Sequence, residues 1–242
     1  MLFFYIRHGH PIYSPDSLTP LGERQAEAIG KRLALYGIDK VYSSTSVRAK
    51  LTAKPVCELL NLGEPELLDF ANEGHAWKEL GCWQDEENKK WNWALDIPEK
   101  RRLMCSPEVL AMGQEWYNHP ELVRYNFKKG IDRIRTESDK LFESLGYERI
   151  SGTGMYKAVR PNNDRVALFA HAGFGLAFMS CILGIPYPQF ACHFDMCHSG
   201  LTVVNFGDNG EGISIPRVLT YSNDSHIYRE GIMTGYNNGL RF

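Results

Sequence analysis

Three short apolar runs do most to limit what this chain can fold into. In chain order, Leu2-Phe3-Phe4-Tyr5-Ile6 has the length and bulk of a buried strand, Ile38 to Tyr42 reads as a second, short strand, and Val166-Ala167-Leu168-Phe169-Ala170 as a third, buried one. Each leads through a few polar or glycine residues into a helical pattern. After the first, Thr19 is placed to cap a helix with Pro20 at its first position; Ala26, Ile29, Leu33 and Tyr36 form its apolar face, and Gly37 stops it. Ile12 to Ser17, with Pro11 and Pro15 as breakers, reads as loop. After the second run, Ser46 caps a helix to about Asn61, with Pro55 expected to kink it. After the third, Leu176 to Leu183 is apolar all round, as in a buried helix. Strand, loop, helix repeated in this way predicts an α/β fold: a three-layer sandwich with a mainly parallel sheet flanked by helices.

Composition narrows the function classes. With 242 residues the chain can bury a sizeable core, and a net charge of −2 argues against nucleic-acid or membrane-surface binding, so any basic site must be local. Six scattered cysteines without a C-x-x-C pair point to free thiols and a cytoplasmic setting. No apolar run approaches membrane-spanning length.

The middle of the chain breaks the pattern. All five tryptophans fall between residues 77 and 116, beside the charged run from Asp85 to Lys90 and without clear strand alternation. Ile131, Ile134, Leu141, Phe142 and Leu145 then mark an amphipathic helix, with Gly146 as its stop. We expect one domain over residues 1–242, with residues 76–147 as a helical, aromatic-rich cap insertion over the sheet ends. Its aromatics either line a pocket or pack the subdomain. Beyond it, Pro161 to Asp164 predicts a hairpin joining residues 155–160 to 165–170, and Leu201 to Phe206 is a further strand.

The strand ends carry the chemistry. The first delivers Arg7 and His8, then Gly9 and His10; the second leads to Arg48 in the first turn of its helix; the third ends in His171. In open α/β sheets ligands bind beyond the carboxyl ends of the strands. If the first two strands are neighbours, two permanent cations and two imidazoles meet there, a set suited to a phosphoryl group. Separately, Cys192, His193, Cys197 and His198 have spacings a metal site uses, but lie so close together that packing residues are the better expectation.

Arg7-His8-Gly9, Leu18-Thr19-Pro20-Leu21-Gly22 to Gln25-Ala26, Ser44-x₃-Arg48-Ala49-x₂-Thr52-Ala53 and the late strand ending in His171 together resemble the histidine phosphatase (phosphoglycerate-mutase-like) superfamily. The resemblance covers residues 1–75 and 165–206. It implies that His8 attacks phosphorus to give a phosphohistidine, that Arg7, Arg48 and His171 bind the phosphate, and that no metal or cofactor takes part. It also implies a carboxyl group that protonates the leaving oxygen; Glu73 is preferred for this role over Asp69 and Glu79. His10 and Ser14 are possible substrate contacts. Pro11 and Ser14 stand where mutases carry a small hydroxyl residue and an asparagine, and the late motif reads His-Ala-Gly. A metal-independent phosphatase acting on a small soluble phosphomonoester is therefore favoured, with mutase-type phosphoryl transfer or a non-catalytic phospho-ligand-binding module as alternatives.

Overall fold

A computed structural model describes every residue except Glu86, Asn238, Arg241 and Phe242. The central sheet has six strands: β1 (Leu2–Arg7), β2 (Lys40–Ser44), β3 (Glu66–Leu68), β4 (Arg165–Ala170), β5 (Leu201–Asn205) and β6 (Arg217–Asn223), in the order β6-β5-β1-β4-β2-β3. The four strands β1, β4, β2 and β3 run parallel; β5 pairs antiparallel with β1, and β6 antiparallel with β5. The expected contact between β1 and β2 is not made, because β4 lies between them. Val166 to Ala170 of β4 are all buried, and a strand apolar on both faces belongs at the centre of a parallel sheet.

The pleat divides the core. Phe4 and Ile6 face α1 (Pro20–Tyr36) and α2 (Val47–Leu60), packing with Ile29, Leu33 and Val56. Thr19 Oγ1 accepts from the Gly22 N–H at 3.1 Å, and Gly37 ends α1 with φ 72°. The second helix continues through Pro55 rather than stopping there. Pro55 lies where α1 crosses: a Cβ on Gly30 would fall 2.7 Å from the Pro55 Cβ, so only glycine permits this approach.

Phe3 and Tyr5 face the opposite way. They pack with Phe142 of α4 (Phe127–Ser144) and Phe178 of α5 (Ala172–Leu183); α3 (Glu73–Leu80) also joins this side. The amphipathic helix in the aromatic-rich segment is thus part of a sandwich layer.

Several connections differ from the sequence reading. Pro11–Tyr13 and Asp16–Leu18 form a small hairpin. Gly81–Asp85 and Lys90–Trp93 form another, braced by Trp83 on Trp91 with ring centroids 5.0 Å apart; runs this short hardly show alternation. Tyr156–Ala158 does not pair with β4. It pairs with Tyr147–Arg149 and Ile213–Ser214, because Tyr147 and Tyr156 bury their rings on Phe206. All six cysteines are unpaired. No helix among the described residues is long and apolar enough to cross a membrane.

Candidate active site

The first two helices cover one face of the sheet and α5 covers the other, so the connections leaving β1 and β4 part company at their carboxyl ends. This opens a crevice where the parallel topology switches. A cavity of about 690 Å³ lies there, lined by Arg7, His8, Arg48, Glu73, Trp77 and Trp93 among others.

His8 is buried at the end of β1. Its Nδ1 lies 2.7 Å from the Gly9 carbonyl oxygen, which can only accept, so Nδ1 carries the proton and Nε2 keeps its lone pair. Burial, then the neighbouring His171 and Arg7, hold the imidazole well below its usual pKa, and it is neutral. The Gly9 N–H donates to Thr52 Oγ1, which donates to the Arg48 carbonyl (3.0 and 2.7 Å), fixing the turn after β1 to the start of α2.

The two guanidinium groups are held alike. Arg7 donates from Nη1 to the Met196 carbonyl and from Nη2 to His198 Nε2 (2.9 Å) and Asn237 Oδ1. Arg48 donates from Nη1 to Asp16 Oδ1 (2.8 Å) and from Nη2 to His171 Nδ1 (3.1 Å). In both, the terminal nitrogens are tied down while the Nε–H is buried with no hydrogen-bond partner. Both guanidinium groups line the same cavity, so two permanent cations face one space suited to an anion.

His171, fully buried at the start of α5, sits 5.1 Å from His8 between ring centroids. Nε2 lies 2.8 Å from Ser44 Oγ, and Nδ1 accepts from Arg48, so both nitrogens are engaged. Burial and the two arginines push its pKa well down. Tyr5 fixes its backbone by donating to the His171 carbonyl at 2.6 Å and accepting its N–H at 3.2 Å.

Glu73 opens α3 and reaches across to α5, accepting the backbone N–H groups of Gly173 and Phe174 at 3.0 Å each. Burial raises its pKa, opposed by those two hydrogen bonds and by Arg48. A Cβ on Gly173 would lie 2.5 Å from the Trp93 ring and 2.9 Å from Glu73 Oε1, which explains the glycine in His-Ala-Gly. The other two carboxylates lie elsewhere: Asp69 pairs with His75 (3.0 Å) and Glu79 with Arg133 (2.6 Å).

His10 and Ser14 do not line this cavity. His10 faces a separate one of about 590 Å³ beside His198 and the segment from Gly231, and Ser14 is exposed at the hairpin tip. The Cys/His cluster does not converge. Cys197 bonds Ser222, and His198 supports Arg7, its own pKa pushed down to about 3 by burial and that charge. No group of three or more His, Cys, Asp or Glu among the described residues can hold a metal ion. Asp16, His198 and Asn237 were missed as members of the site. Asp16, the one acid between β1 and α1's cap, had a weak local signal; Asn237 had none. Of the tryptophans, 77 and 93 line the cavity and Trp116 packs the interior.

Residues 4–119 match the family model described as the histidine phosphatase superfamily (branch 1). Over residues 4–119 the chain is thus similar to the histidine phosphatase superfamily, the family its motifs resemble, and the α/β fold of the whole chain is consistent with that likeness. Among solved structures, phosphoserine phosphatase from Entamoeba histolytica in complex with 3-phosphoglyceric acid superposes with a TM-score of 0.58 at 18% identity, covering 93% of this chain and 98% of that one. A mutant of that enzyme in complex with phosphoserine gives 0.57 at 15% identity with the same coverage. The mycobacterial glucosyl-3-phosphoglycerate phosphatase with inorganic phosphate gives 0.51 at 18%, covering 93% and 98%. No curated protein matches the chain.

Proposed function

We propose that this protein is a metal-independent phosphatase that hydrolyses a small phosphomonoester through a phosphohistidine on His8. One observation carries the reading: His8, protonated at Nδ1 so that its Nε2 lone pair is free, in a cavity that Arg7 and Arg48 both line. Nε2 attacks phosphorus in line, the P–N bond forms, and the ester P–O bond breaks with its electron pair on the leaving oxygen. Glu73, its pKa raised by burial, gives that oxygen a proton. Arg7 and Arg48 offset charge on the non-bridging oxygens. His171, with both ring nitrogens engaged, acts by holding Arg48 in place. In the second step the Glu73 carboxylate takes a proton from water, whose oxygen attacks phosphorus; the P–N bond breaks, its pair returns to His8, and phosphate leaves. A resident in the cytoplasm with a free small-molecule substrate fits these features and the six free thiols.

The test is hydrolysis of p-nitrophenyl phosphate in excess chelator. Wild-type protein is expected to turn over, and His8→Ala to lose activity and the acid-labile phosphoenzyme. Turnover retained by His8→Ala, or abolished by chelator, refutes the mechanism.

A further inference from the structure

The leaving oxygen must face Glu73, so the rest of the leaving group extends to the side of the crevice that Glu73 shares. On that side a second cavity of about 300 Å³ adjoins the first; both are lined by Glu73 and Trp93. Its other walls include Asp96, Arg101, Phe194 and Asp195. Three carboxyl groups thus meet one guanidinium. That guanidinium is committed on one arm, since Arg101 Nη2 donates to the Cys192 carbonyl at 2.5 Å. Asp195 also uses one oxygen locally, accepting the Met196 N–H at 2.7 Å through Oδ1, whereas its other oxygen and the Asp96 carboxylate have no such bond among the described residues. Asp195 directly precedes Met196, whose carbonyl accepts from Arg7 Nη1, so this carboxylate lies beside the support of the arginine at the phosphate end. Phe194 stacks on Phe190 at 4.6 Å between centroids yet remains 44% exposed at the cavity wall. Aromatic faces beside carboxylates are the surroundings a cationic head group takes in preference to a neutral one.

We propose that the leaving group accepted here carries a cationic amine, making the substrate an O-phosphorylated amino alcohol, with its ammonium received by Asp96 and Asp195 against Trp93 and Phe194. This rests on the phosphatase reading, since it is Glu73 that fixes where the leaving group goes. The acidic walls repel a second carboxylate on the substrate, and Arg101 does not outweigh them.

The experiment compares kcat/KM for phosphoethanolamine and phosphocholine with that for 3,3-dimethylbutyl phosphate, the uncharged isostere of phosphocholine, and with 3-phosphoglycerate. The cationic esters should exceed the neutral isostere by about tenfold or more. Asp96→Asn and Asp195→Asn should each lower that ratio several-fold, and the double variant should bring it near one. Equal rates for charged and neutral esters, a preference for 3-phosphoglycerate, or a ratio unmoved by both substitutions overturns the proposal. Calorimetric binding of the same four esters separates the two levels. Absence of all turnover sinks the phosphatase reading, while phosphocholine binding no tighter than its neutral isostere sinks the amine assignment.

Discussion

Replacing Glu73 by Gln tests two roles of one side chain with two independent readouts. Its carboxylate accepts two N–H groups at the start of α5, at 3.0 Å each. Glutamine offers one carbonyl oxygen, and its amide N–H₂ meets the second backbone donor head-on. One charge-assisted hydrogen bond is then lost, costing about 2 kcal/mol. For a chain of 242 residues that corresponds to a Tm about 4–8 °C lower. The catalytic effect depends on the ester. An alkyl leaving oxygen needs the proton, and kcat/KM should fall by about 10²–10⁴, the usual range for a lost general acid. A nitrophenolate leaves without help, so p-nitrophenyl phosphate should lose less than about tenfold. Calorimetric melting and steady-state kinetics on the two ester types decide the matter. Equal losses for both esters would falsify the general-acid role, and an unchanged Tm would show that the contact with α5 is energetically idle.

Two further outcomes follow from the same geometry. Gly173→Ala drives a methyl group into Trp93 and Glu73 Oε1; displacement of the acid by even a fraction of an ångström should cut alkyl-ester kcat/KM by up to about 10²-fold, and wild-type rates would contradict the packing argument. His8, His171, His198 and His226 are buried with depressed pKa values, the last two at about 3 and about 4. The unfolded chain therefore takes up protons first. Stability is full above pH about 6.5 and falls as pH drops toward those folded values, by up to about 1.4 kcal/mol per pH unit for each histidine; a urea midpoint identical at pH 7 and pH 5 would contradict it.

Much of this architecture is encoded locally. The runs that became β1, β2 and β4, the Thr19 cap, the Gly37 stop and the helix starting at Val47 depend on neighbours a few residues apart, and the sequence already contains those neighbours. The same holds for Arg7, His8, Arg48 and His171, which stand at a strand's carboxyl end or in the first turn of the helix after it. Strand order is not local. Nothing in Val166 to Ala170 alone says that β4 separates β1 from β2; only the competition for the most buried position decides it. The short hairpins at Pro11–Leu18 and Gly81–Trp93 escaped for a related reason, since only three or four residue pairs hold them and the rest of the molecule stabilises them.

What surrounds the proposed phosphate site was likewise decided in three dimensions. Glu73 could be named from its place after Arg48, but its grip on α5 joins residues 100 and 101 positions apart. Asp16 steadies Arg48 from a hairpin that reads as loop, and Asn237 and His198 steady Arg7 from the far end of the chain. Each supplies a hydrogen-bond partner to a side chain already buried by its strand or helix, and such a partner can come from any part of the chain that passes within 3 Å. The sequence by itself determined which groups are delivered to the strand ends; only the tertiary structure decided which groups hold them still, because strand ends are fixed by local backbone geometry and their supports by contacts between distant segments.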